Sequence, residues 1–280
     1  MKKVFTILLV LLFLTGAALV AYPAVSVHYN ERHQSAVYTQ YQEVIDEAEG
    51  DTLRIEREIA TQYNRQLCTG LSVDEADIPK YEVMLNMAGN GIMGYISIPS
   101  IDITLPIYHG TGESVLEKGA GHMVGTSLPV GGIGTHAAIS AHTGMANNRM
   151  FTDLHLVQEG DFFVLQVLGD ELYYKVDQIL TVLPTQINAL KIDPGKDYVT
   201  LVTCTPYGVN SHRLLVRGHR VNPLEQKTME QQTQTMVMVR ERSTWEAKYL
   251  QGIWIGAALA VGIVLATGII LWLKKKGKRQ

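Results

Sequence analysis

Cysteine is scarce in this chain of 280 residues: only Cys68 and Cys204 occur. An exported domain built on a disulfide framework carries several pairs, so two thiols exclude that design and leave the fold dependent on an apolar core, with one thiol kept free for chemistry. Metal-ligand spacing is missing too. No His-Glu-x-x-His or paired Cys-x-x-Cys pattern is present, and His136 and His142 lie six residues apart on one predicted strand, about 20 Å, too far to share an ion. No catalytic metal is expected. A basic excess is also lacking: the formal charge is −3, and seven of the 24 Lys and Arg residues sit in terminal segments that hold no acid, so the remainder carries 17 cations against 27 anions. That balance argues against nucleic acid as a partner. No internal repeat or long low-complexity tract is seen.

What the chain does have is apolar residues, 46% against 18% charged, enough for one substantial core with appendages. The appendages are terminal. Residues 4–20 form an almost unbroken apolar run after Lys2 and Lys3, and residues 253–273 form a second, followed by a tail with five cations. Roughly 20 apolar residues span a bilayer as a helix, so the second run is expected to cross a membrane, with Trp254 and Trp272 near its interfaces. The first reads either as a cleavable signal peptide, given Ala17, Ala18, Ala21 and Ala24, or as an uncleaved anchor; Tyr22-Pro23 makes a poor cleavage pattern and favours the anchor. Cations beside both runs predict cytoplasmic termini and an extracytoplasmic middle, about residues 25–250. In the second run, Ala258, Gly262 and Ala266 form a small-residue stripe that permits close helix contact.

Between the anchors the period changes. Residues 34–67 are helical in pattern, with Ile55, Ile59, Tyr63 and Leu67 recurring on one face, and Gly50-Asp51 divides the pattern into two helices that pack on the domain or form a stalk. Residues 69–80 are polar and acidic and read as an exposed loop. From Gly94 onward, 95–98, 103–108, 136–142, 162–168, 171–183, 198–204 and 212–221 alternate with period two and are bounded by glycine, proline or asparagine. Many short strands with glycine-rich turns indicate a mainly β domain, a closed barrel or a sandwich, and period alone does not choose between them. Residues 150–155 suit a short connecting helix. The expected organisation is an N-terminal anchor (1–24), a helical stalk with a lid-like loop (25–85), a β domain (86–222), a juxtamembrane linker (223–250), a transmembrane helix (251–273) and a basic tail (274–280).

The chemistry concentrates at one strand end. Thr200-Leu-Val-Thr-Cys204 closes an alternating run, and across a turn-rich loop Arg213 opens the next. A thiol attacks a carbonyl only as thiolate, and its reference pKa of about 8.5 leaves a few per cent ionised at neutral pH, so a nearby imidazole or guanidinium has to help. Arg213 cannot act as a base; its fixed fork of donors suits an oxyanion and substrate carbonyls. His142, at a strand end before Thr143-Gly144, suits proton transfer to a departing amine and from an incoming one. His212 is next to Arg213, points to the opposite face and is read as structural, and Arg217 and Arg220 read as surface strand residues. The stretch from Gly119 to Gly125 superficially suggests a nucleotide loop, but its third glycine is misplaced and no strand–helix unit surrounds it.

This segment resembles the signature of the sortases, the cysteine transpeptidases of Gram-positive cell surfaces, whose active strand reads Thr-Leu-x-Thr-Cys with a histidine well upstream. Every fixed position matches, His142 fills the upstream place, and the stretch from Cys204-Thr-Pro-Tyr-Gly to Arg213 is similar to the pilin-polymerising class C branch. The resemblance covers about residues 86–221. It implies a closed eight-stranded barrel with short helices, catalytic His142, Cys204 and Arg213, and no cofactor. It also implies as partners a secreted protein with a Leu-Pro-x-Thr-Gly-type signal and a lysine amine of a pilin subunit. Two rivals stand beside it: a cell-wall-anchoring sortase using a peptidoglycan-precursor amine, and a catalytically silent surface-binding barrel. One departure is plain. The class C lid carries an Asp-Pro-aromatic motif, and here only Asp77-Ile78-Pro79 is present, so an open or loosely covered site is expected, with Asp74 or Asp77 as the nearest substitutes for lid contacts on Arg213. A Cys68–Cys204 disulfide is a further variant.

Overall fold

The computed structural model describes residues 2–70, 78–145 and 148–222, with 225, 227, 228, 251–258, 260, 262, 263, 267 and 268. Two compact units result, Met1–His28 with Glu241–Gln280, and Tyr29–Arg240. In the first, large apolar side chains such as Phe5, Leu8 and Leu12 are exposed. Among the described residues, no helix is long and apolar enough to cross a membrane. The expected C-terminal span falls partly outside them, Ala266 and Trp272 included.

The second unit holds the β domain. Its strands are β1 (Ile92–Ile98), β2 (Ile103–His109), β3 (Ala120–His122), β4 (Thr135–Ser140), β5 (Phe162–Val167), β6 (Asp170–Val182), β7 (Asp197–Thr205) and β8 (His212–Arg220). They close into a barrel in the order β1-β2-β3-β4-β7-β8-β6-β5. The β2–β3 and β4–β7 pairs are parallel and the rest antiparallel. Closure removes free strand edges, and it decides the question that period-two alternation leaves open. Inward residues fill the interior: Val199 and Leu201 from β7 and Leu214 and Val216 from β8 belong to one core with Ile96, Ile107 and Phe163. Burying a side chain of that size contributes roughly 1.5–3 kcal/mol. Phe163 stacks on Tyr174 at 5.7 Å between centroids, next to Gly218, where a Cβ would come within 2.8 Å of the Phe163 ring.

β3 is a strand the alternation pattern does not reveal. Three residues are too few to show a period, and its glycine serves a close approach: a Cβ on Gly121 would lie 2.1 Å from the Gly110 carbonyl oxygen. The glycine-rich stretch is thus where β3 meets β2 edge to edge, with no phosphate-binding turn.

Two helices lean on the barrel. α1 (Lys2–Glu47) places Tyr41 and Ile45 in the core, and the Tyr41 hydroxyl donates to the Met93 carbonyl and accepts from Leu168 N. Burial pushes that phenol up to about 12, so it stays neutral. α2 (Gly50–Cys68) follows after the expected break, but its buried face differs from the predicted stripe. Ile55 and Ile59 are exposed, while Ala60 and Asn64 are buried. Asn64 replaces an apolar contact with two hydrogen bonds to the Leu128 backbone, donating to its oxygen and accepting from its nitrogen.

Candidate active site

The β4–β7–β8 order sets three strands side by side, and register sets three side chains. In the antiparallel β7–β8 pair, Cys204 faces Arg213 directly. In the parallel β4–β7 pair, partners run from Thr135 with Asp197 to Ser140 with Val202, and Ala141 N extends the pairing by donating to the Val202 oxygen at 3.2 Å. Two residues beyond Ser140 and Val202, His142 and Cys204 both line one cavity. Thiol and guanidinium are brought together by strand pairing, and the imidazole, 62 residues earlier in the sequence, lines the same cavity.

Both threonines of the Thr200-to-Cys204 motif stabilise this arrangement. Thr203 Oγ1 donates to the Ala141 oxygen at 2.8 Å and ties the strand end that precedes His142. Thr200 Oγ1 lies 2.7 Å from His136 Nε2, whose Nδ1 is 2.9 Å from the Lys191 carbonyl. The carbonyl requires Nδ1–H as donor, so the threonine hydroxyl donates to Nε2 and His136 is a neutral anchor. Burial lowers its pKa, with the Lys191 carbonyl opposing. His136 thus fastens the end of the β6–β7 connection to β4.

That connection walls a cavity of about 330 Å³. Val202 and Cys204 of β7, Arg213 and Leu215 of β8, and Ser140 to His142 form its floor; Val182 to Pro184, Gln186, Ile187 and Leu190 form one wall; Thr111, Leu116 and Met123 close the other side. The floor residues alternate with the core residues Val199, Leu201, Leu214 and Val216. The cavity therefore lies on the outer face of the sheet, near the strand ends, and not in the packed interior. Its lining is mostly apolar with a few convergent polar groups, the usual character of a ligand site.

Arg213 is held by its own turn: Nη1 donates to the Asn210 and His212 carbonyls at 3.1 and 3.0 Å. Both bonds use one nitrogen of a guanidinium with five N–H groups, which leaves donors for a substrate carbonyl or an oxyanion. His212 pairs opposite Thr205, has Nδ1 2.9 Å from Ser211 Oγ and does not line the cavity. Arg217 bridges to Asp177 and stacks on Tyr198.

Two neighbours escape sequence reasoning. Glu113, the first residue of α4 (Glu113–Leu116), brings Oε1 to 3.4 Å from His142 Nε2. Tyr207 of the β7–β8 loop lies over Gly144, where a Cβ would be 3.0 Å from the ring; Gly144 also has φ +78°, which favours glycine. The loop after Cys204 thereby rests on the loop after His142. Neither contact leaves a periodic signal, because each joins loops brought together only by the barrel.

The disulfide variant is overturned. Cys68 and Cys204 are both free thiols, and Cys68 Sγ sits against Gly134 and Pro194, at the opposite end of β7. Eight residues of strand, about 26 Å, separate those ends, far beyond the Cα reach of a disulfide. Of the lid-like loop, Asp74 and Asp77 lie outside the described residues; Ile78 and Pro79 open α3 (Ile78–Val83). From α3, the Tyr81 hydroxyl accepts from Gly110 N at 3.0 Å and lies 2.9 Å from His122 Nδ1. Among the described residues there is no cluster of histidine, cysteine and carboxylate able to hold a metal.

Known proteins share this geometry. The Sortase domain family matches residues 96–221. Sortase A of Bacillus anthracis is 24% identical over 226 residues, 81% of this chain and 99% of that protein. The crystal structure of sortase C1 from Streptococcus agalactiae superposes with a TM-score of 0.65 and 44% identity, over 67% of this chain and 98% of that one. A sortase C of Clostridium perfringens, solved with the C-terminal cell wall sorting motif, gives a TM-score of 0.59 and 43% identity, over 67% and 99%. A strand-end cysteine on an eight-stranded barrel and sequence identity sustained over nearly the whole of a sortase C lead to one assignment: the chain belongs to the sortases, the cysteine transpeptidases, and has class C enzymes among its structural neighbours.

Proposed function

We propose that this transpeptidase acts as a membrane-anchored, class C-type sortase that joins secreted pilin subunits. Cys204 attacks the Thr–Gly carbonyl of a Leu-Pro-x-Thr-Gly-type sorting signal, Arg213 receives the oxyanion, and His142 gives its proton to the departing amine. The thioester conserves the free energy of the broken bond, so no nucleotide or other cofactor enters. A lysine amine of a second subunit then resolves it as an isopeptide bond. The observation that supports the reading is that His142, Cys204 and Arg213 line one cavity, with Cys204 paired opposite Arg213. Likeness to sortase C structures, one holding a sorting motif, supports the substrate class.

The anchoring part rests on the apolar runs at residues 4–20 and 253–273 with their flanking cations, and on the exposed apolar side chains at the start of α1. Both termini are then cytoplasmic and the barrel outside. A topology reporter fused after Gln280 should be active only in the cytoplasm, and one near Gln226 only outside.

Likeness to a sortase A supports a second reading, wall anchoring through a peptidoglycan-precursor amine. Incubation with a sorting-signal peptide, followed by mass analysis of the Cys204 thioacyl adduct and of products with a pilin lysine or a wall-precursor amine, separates the two. Absence of any adduct would leave only the silent, surface-binding barrel.

A further inference from the structure

The site is electrically divided. Arg213 lies across the strand pair from Cys204, where negative charge gathers on the carbonyl oxygen, and it is held there by two backbone carbonyls. On the other flank, beyond His142, stands a carboxylate: Glu113 Oε1 is 3.4 Å from His142 Nε2. Its side chain is 77% exposed and that of His142 is 25% exposed, so the carboxylate stands in solvent and the imidazole reaches it. Thr111 and Leu116, on either side of Glu113 in sequence, line the same cavity. The side chain is thus at the mouth, next to the group that handles the amine proton.

We propose that Glu113 is the receiving point for the acceptor amine. The inference rests on the transpeptidase reading above and adds how the second substrate is chosen over water. A lysine amine arrives as an ammonium. It loses one proton to solvent, and its lone pair then attacks the thioester carbonyl and forms the C–N bond. The nitrogen, cationic again at that moment, passes its second proton to His142, while the C–S bond breaks and its electron pair returns to Cys204 as thiolate. Glu113 stabilises nitrogen in both cationic forms. Water attacks with far less charge on its oxygen when a base removes the proton in step, so the carboxylate favours aminolysis over hydrolysis. By microscopic reversibility the amine released in the first half-reaction leaves past the same carboxylate.

The test is the ratio of aminolysis to hydrolysis from one thioacyl enzyme, formed on the full chain with a Leu-Pro-x-Thr-Gly peptide and partitioned with Nα-acetyl-lysine amide at fixed concentration. The ratio cancels any effect on acylation. Glu113→Gln should lower it about threefold to fivefold, the size of an exposed charge pair, and Glu113→Lys about tenfold or more. Glu113→Asp should keep most of it. Added salt should lower the wild-type ratio toward that of Glu113→Gln and leave the variant unmoved. A ratio unchanged in Glu113→Gln, with both reactions slowed alike, would show that Glu113 acts only on His142 and would overturn the proposal. A wild-type enzyme that forms the thioacyl adduct but yields only hydrolysis would instead sink the transpeptidation reading, and the proposal with it.

Discussion

The two ends of β7 carry buried or half-buried reactive groups and treat them in opposite ways. At its start, Asp197 is enclosed: its carboxylate accepts from Gly132 N at 2.8 Å, from the Tyr174 hydroxyl at 2.9 Å and from Thr135 Oγ1 at 3.3 Å. Burial raises its pKa, and those hydrogen bonds together with Arg220 oppose the rise. At its end, Cys204 is a half-buried thiol facing a cavity, beside an arginine whose side-chain hydrogen bonds, among the described residues, use Nη1 alone. One end satisfies its polar groups internally, and the other leaves them for a substrate. Stability and chemistry should therefore separate along a single strand.

Substitutions at the two ends test that separation most strongly. Cys204→Ala and His142→Ala should each abolish covalent product while leaving the unfolding curve nearly in place. Asp197→Ala should do the reverse, costing about 3–5 kcal/mol in urea unfolding because buried partners lose their acceptor, with activity per folded molecule retained. Loss of activity in folded Asp197→Ala would erase the distinction. Next in size is Arg213→Lys. A point charge cannot reproduce the guanidinium fork, and loss of one oxyanion donor costs about 2.7–4 kcal/mol in transition-state stabilisation. Near-normal turnover in Arg213→Ala would remove its assigned role.

Acid sharpens the comparison next. His122, fully buried on β3, has its pKa lowered to about 4 by desolvation, with the Ser127 carbonyl working against the shift and His109 with it. The folded chain then binds fewer protons than the unfolded one between the ordinary value of 6.5 and about 4. Stability is full above that window and is lost as pH falls through it, by about 3 kcal/mol at the lower edge. Chemical unfolding at pH 7 and pH 4, in wild type and His122→Gln, should show a smaller loss in the variant. The smallest expected effect is at Cys68. Alkylation of Cys204 without reductant should proceed at the same rate in wild type and Cys68→Ser, since the two thiols sit at opposite ends of β7.

Legibility in the sequence followed the physical origin of each feature. The longer strands announce themselves by apolar, β-type runs bounded by turn residues, even where both faces are buried, as on β1, β4 and β5. β3 stays hidden because three residues carry no period and its one glycine, Gly121, answers to the close approach of the Gly110 carbonyl. On α2 the apolar stripe misleads, since the barrel accepts the small Ala60 and a hydrogen-bonded Asn64 and leaves Ile55 and Ile59 outside. Cys204, Arg213 and His142 stand out by motif and strand position. Glu113 and Tyr207 do not, because their contacts exist only after β2, β4 and β7 have been joined around the barrel.

The parallel pairing of β4 with β7 gives the site something like a reading frame. Thr135 and Asp197 start together, and Ser140 and Val202 are still in step five residues later, two short of His142 and Cys204. A single insertion within Thr135–Ser140 would turn His142 to the other side of the sheet and put it out of step with the thiol. The same insertion in the loop between Cys204 and Arg213 would leave both strands in register and act instead on the Asn210 carbonyl that holds Arg213 and on the seat of Tyr207 over Gly144. Spacing along these two neighbouring strands is therefore held to the residue by pairing, while the loop after Cys204 is held by what it touches.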